Sequence, residues 1–154
     1  MAYKKLAQEY ERDRDIAGYV VAKKGKHEFT NEKVKVYGNA IVTVRGKSEV
    51  YAYDSSEVYA YGFSKAYAHG SSKVYANDSA VVYANDSAVV YAFGSAAIFA
   101  YDSAVVYAFG SAAICAFESV RVYAFESVRV YAFGSSKIHI EDSAKIVKDK
   151  RGVE

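Results

Sequence analysis

Residues 87–118 read SAVVYAFGSAAIFAYDSAVVYAFGSAAICAFE, the same sixteen residues written twice with three differences: Phe99/Cys115, Tyr101/Phe117 and Asp102/Glu118. Each sixteen is itself two related octads. From Asn31 to Lys150 the chain divides into fifteen octads without insertion or deletion, with the consensus S-(S/A)-x-V-Y-A-(aromatic)-(G/D). An exact internal repeat constrains the fold before any other property does. A helix cannot carry it, because eight residues at about 100° each leave successive units rotated by about 80°, so no face persists. A strand can, because side chains alternate with period two and two divides eight.

The alternation sorts the octad into two faces. Positions 2, 4 and 6 hold Ser/Ala, Val/Ile and Ala. Positions 3, 5 and 7 hold charged residues, a run of Tyr and further aromatics. Position 3 includes Glu49, Glu57, Lys65, Lys73, Arg121, Arg129, Lys137 and Lys145. Unpaired charges do not fill a dry core, so positions 3, 5 and 7 face outward and the interior is a thin filling of Ala, Val and Ser. Val, Ile and Tyr favour strands. The Gly or Asp before each Ser supplies a turn, and the absence of Pro leaves the ladders unbroken. Short strands at fixed spacing without hairpin alternation predict an all-β parallel β-solenoid.

Two octads per coil, sixteen residues, is the expected coil. SAAI recurs at 95 and 111 and SAVVYAFG at 87 and 103, so alternate octads are the most alike. Three octads per coil, a triangular section, is the alternative. The ends differ from the middle. Tyr3, Leu6 and Tyr10, with Ile16 near the same face, have helical spacing and predict a short helix that caps the first coil or lies beside it. Residues 19–22 and 27–30 read as a first irregular pair of strands. The chain is thus expected to be one domain: residues 1–30 a helix and capping strands, residues 31–150 the solenoid, residues 151–154 a tail.

The function classes narrow quickly. The net charge is +2, but residues 48–120 carry 2 Lys/Arg against 7 Asp/Glu, while residues 1–47 carry 11 against 6. The aromatic middle therefore repels phosphate, and nucleic acid is not the expected partner despite rings on which bases could stack. No phosphate-binding loop, zinc-protease or nucleophile-elbow pattern occurs. His27, His69 and His139 lie far apart at non-equivalent positions. No cofactor, metal or catalytic residue is expected, and the chain reads as a non-enzyme. A single cysteine fits a reducing compartment, and neither a signal peptide nor an apolar span is apparent; a cytoplasmic protein without membrane attachment is the expectation.

The informative anomaly is at position 3, where octads 7 to 11 replace charge by Val81, Val89, Ala97, Val105 and Ala113. On the even-octad face this sets Val89, Tyr91 and Phe93 one rung from Val105, Tyr107 and Phe109. On the odd face the large residues thin out to Phe99, Ala113 and Cys115. An uncharged aromatic patch on a repeat scaffold marks a contact surface. The expected function is binding of protein through this face, foremost of a second copy as a homodimer, with Val89, Tyr91, Phe93, Val105, Tyr107 and Phe109 as the seam and Phe99, Ala113 and Cys115 as the alternative. Asp86, Asp102 and Glu118 should stack as an acidic corner, complemented by positive charge rather than by metal.

Octads ending G-S or D-S, two to a coil, resemble those of bacterial ice-nucleation proteins, which are octad-built solenoids. The resemblance spans residues 31–150 in period and turn. It does not extend to the outward Thr pairs of the ice-binding ladder, since Thr30 and Thr43 are the only threonines. The Tyr column is similar to the tyrosine ladder that family uses for lateral association. The tract is also similar to octad repeats of uncharacterised phage and gut-bacterial proteins, a class that implies inhibitors or adaptors acting on a host protein. An ice-binding surface and a carbohydrate-binding one, with Tyr stacked on sugars, are the remaining alternatives.

Overall fold

The computed structural model describes residues 18–152; the helix expected over residues 3–16 lies outside them. Among the described residues seventeen strands follow one another. The first are β1 (Val20–Ala22), β2 (Lys26–Thr30), β3 (Lys33–Val36), β4 (Ile41–Arg45), β5 (Glu49–Ala52) and β6 (Glu57–Ala60). The middle ones are β7 (Lys65–Ala68), β8 (Lys73–Ala76), β9 (Val81–Ala84), β10 (Val89–Ala92), β11 (Ala97–Ala100) and β12 (Val105–Ala108). The last are β13 (Ala113–Ala116), β14 (Arg121–Ala124), β15 (Arg129–Gly134), β16 (Lys137–Ile140) and β17 (Lys145–Arg151). Odd strands form one parallel sheet and even strands another. Each strand pairs with the next but one, Val90 with Val106 and Ile98 with Ile114. The coil is therefore two octads, and the three-octad alternative is excluded.

Positions 3 to 6 of each octad make the strand, and positions 7 to 2 turn the corner. Position 8 has positive φ in octads 1 to 14, from 54° to 70°. That backbone favours Gly and, after it, Asn and Asp, which is why Gly or Asp stands at twelve of the fourteen, with Glu118 and Glu126 at the other two. The position-2 N–H then bonds the position-7 carbonyl across the corner, as Ala104 does to Tyr101 at 3.2 Å. Successive corners stack closely: a Cβ on Gly110 would lie 3.0 Å from the Gly94 carbonyl oxygen.

The interior is as thin as the alternation demands. Val and Ile at position 4, with Ala at position 6, are fully buried through the coils, and Ala, Val or Ser at position 2 join them. The buried hydroxyls of Ser48 and Ser64 donate to the Arg45 and Tyr61 carbonyls at 2.8 Å. The period loosens only at the ends. Val20 pairs with Val34 and Lys26 with Ile41, one or two residues short of the repeat. The expected first strand pair exists as β1 and β2, each opening its own sheet rather than pairing with the other. At the far end a register shift between Val130 and Tyr131 leaves Val147 of β17 unpaired and exposed.

Candidate functional site

Because every coil repeats the same register, each outward position becomes a column running along the solenoid. At position 5 of the even face, Tyr59, Tyr75, Tyr91, Tyr107 and Tyr123 stack in parallel with ring centroids 4.6 to 5.2 Å apart. At position 7 of that face Phe93, Phe109 and Phe125 stack at 5.4 and 5.0 Å. The odd face carries Tyr51, Tyr67, Tyr83 and Phe99 in its position-5 column, and Tyr101, Phe117 and Phe133 at position 7. Position 7 shares the outward face with position 5.

The structure brings the expected seam residues together. Val89 pairs with Val105 and Tyr91 with Tyr107 in direct register. Before them stands Lys73, paired with Val89, and after them Arg121, paired with Val105, then Lys137. The uncharged block is thus bracketed by cations in its own column. The rings shield one another: Val89, Tyr91, Val105, Tyr107 and Phe109 are half-buried, and only Phe93, at 37 %, counts among the exposed large apolar residues. What the face offers a partner is therefore ring edges and methyl groups rather than open ring faces.

On the odd face Ala97 pairs with Ala113 and Phe99 with Cys115. Cys115 in turn pairs with Tyr131, so a small side chain interrupts the aromatic column. Burial pushes the Cys115 thiol above its ordinary pKa, the opposite of what a reactive cysteine needs.

Two carboxylates of the acidic corner are hydrogen-bonded within the fold. Asp86, Asp102 and Glu118 do occupy one column, but the Asp86 carboxylate accepts the Gly70 N–H at 2.9 Å and the Asp102 carboxylate accepts the Asp86 N–H at 3.0 Å. Asp54 does the same for Gly38. On the opposite corner, Asp78 and Glu126 serve Gly62 and Gly110. Each of the hydrogen-bonded carboxylates is thus tied to a backbone amide one coil back. Among the described residues no three His, Cys, Asp or Glu side chains form a group able to hold a metal ion. The histidines stand apart: His69 stacks on Tyr53 at 5.3 Å, His139 lies 3.0 Å from Glu141, and His27 lies 2.7 Å from the Lys24 carbonyl.

Two features escaped the sequence reading. Tyr51 and Tyr59 donate their hydroxyls to Glu49 and Glu57, two residues back on the same face. These bonds raise both phenol pKa values, that of Tyr59 to about 12. The other feature is Phe63, a position-1 residue at a corner where most octads have Ser; it is 69 % exposed. Its departure from the consensus was the available signal. Comparison with protein-family models, with curated proteins and with solved structures finds no match.

Proposed function

We propose that this protein is a non-enzymatic β-solenoid scaffold that binds protein through its even face, and that its first partner is a second copy of itself. The observation that carries the reading is the change of character along one column: Lys73, then Val89 and Val105, then Arg121, in unbroken register. Solvent exposure alone gives no reason to remove charge from the middle of an outward column, whereas a contact centred there does. A two-fold partner meets an identical spacing, so the ladders match without a search for register. Burying half a dozen such side chains per copy at ~25 cal/mol per Å² gives a gross gain above about 10 kcal/mol. The cost of association offsets much of this, and a micromolar or tighter dimer remains.

Light scattering tests it. Wild-type protein at tens of micromolar should have the mass of a dimer. Val89→Lys combined with Val105→Lys should be monomeric with an unchanged β spectrum, and Ala97→Lys combined with Ala113→Lys on the odd face should stay dimeric. A monomeric wild type would overturn the reading. A dimer lost only in the odd-face variant would move the seam there.

A further inference from the structure

We infer that the two copies lie parallel and rung for rung, related by a two-fold axis along the solenoid over the even-face Tyr column; this rests on the self-association proposed above. Positions 3 and 7 of one octad are four residues apart on the same face, about 13 Å at ~3.3 Å per residue, too far to touch within one copy. Their identities are nevertheless complementary in the four rows from Val89 to Lys137. Val89 shares its row with Phe93, and Val105 shares its row with Phe109. Arg121 shares its row with Phe125, and Lys137 with Glu141. An axis running along the central position-5 column reverses the strands but keeps the rungs level. It lays position 3 of each copy over position 7 of the other in the same row. The apolar rows then meet aliphatic against ring, the Arg121 row lays its alkyl stem against the Phe125 ring edge, and the Lys137 row meets ammonium against carboxylate, each twice.

The competing arrangement gains less on charge. A two-fold axis along the strands, centred between the Val89 and Val105 rungs, also joins the apolar rows. It runs the solenoids antiparallel and sets Lys73 of one copy against Arg121 of the other, twice, which cancels what Glu57 gains against Lys137 in the same column. Like charges facing each other across an interface select against that partner geometry. The odd face suits a seam less well, since its ladder is broken at Cys115.

Cross-linking separates the two arrangements. In a Cys115→Ser background, Tyr59→Cys sits on the proposed axis and faces its own counterpart. A short bis-maleimide spanning about one sheet-to-sheet distance of ~10 Å should join the two copies. In the antiparallel arrangement the Tyr59 rung meets the His139 rung, about 24 Å from its counterpart at ~4.8 Å per rung. Tyr59→Cys would then stay uncoupled, and a mixture with His139→Cys chains would cross-link instead. Independently, Lys137→Glu and Glu141→Lys should each weaken association by about tenfold, and the double swap should restore it. A dimer that couples through Tyr59/His139, or through neither, or that the double swap leaves weak, overturns the parallel arrangement while self-association stands. A protein monomeric by light scattering overturns self-association itself and the arrangement with it.

Discussion

The carboxylate of Asp102 reaches back one full coil and accepts the backbone N–H of Asp86 at 3.0 Å. Asp102 itself has φ 57°, so one residue both turns the corner and ties it to the corner before. The two roles predict different costs. Asp102→Gly keeps the turn and loses the tie, about 1 kcal/mol. Asp102→Ala loses the tie and leaves a Cβ in the left-handed region without the polar group that lets Asp sit there, about 2 kcal/mol in all. Urea unfolding of the two variants checks this, and a Gly variant as damaged as the Ala variant would refute the division of roles.

The hydroxyl of Ser72 is buried without a hydrogen-bond partner among the described residues. Octads 7 to 11 place Ala at the equivalent position. Ser72→Ala removes an unsatisfied group at almost no change in volume. It should raise stability by about 1 kcal/mol, seen as a higher melting temperature. Unchanged or lower stability would mean the hydroxyl has a use that its surroundings do not reveal.

Cys115 is a gap in an otherwise aromatic column between Phe99 and Tyr131. Cys115→Tyr should complete the stack and stabilise the fold by about 0.5–1.5 kcal/mol beyond its added burial. Denaturant melts of wild type and variant decide it; a loss of stability would show that the neighbours close over the thiol and leave no room for a ring.

The phenol bonds set an alkaline limit. Tyr59 has a folded-state pKa of about 12, raised from 10.0 by its bond to Glu57 and by burial. Burial also raises Tyr53, Tyr67 and Tyr75. A raised pKa means that the fold favours the protonated phenol. That contribution is complete below pH 10 and is lost as pH climbs from 10 towards 12. Melting temperature should therefore hold up to about pH 10 and fall beyond it, and Tyr59→Phe should lose less across the same interval. A flat profile to pH 12 in wild type would contradict the assignment.

Much of this was legible in the sequence because the repeat writes each structural rule fifteen times. The charges at position 3 reveal which face is outward, the recurrence of SAAI reveals the two-octad coil, and the change from Lys73 to Val89 reveals the uncharged block on the even face. What stayed hidden depends on relations between coils. Asp at position 8 reads as a turn former, and nothing in its own octad says that its carboxylate serves the amide sixteen residues earlier. The same holds for the mutual shielding of stacked rings, which leaves the aromatic columns half-buried. At the ends the period itself fails, through the shortened first coil and the shift at Val147. Single occurrences carry no statistical signature.

The central claim is that copies associate side by side through a long face. Small-angle X-ray scattering at tens of micromolar tests it directly, because lateral and end-to-end assemblies of the same mass differ in shape. The expected particle has twice the mass of one chain, a longest dimension close to that of one solenoid, and a cross-section about doubled. Twice the mass with twice the length at unchanged cross-section, or a single-chain mass at every concentration, would contradict it.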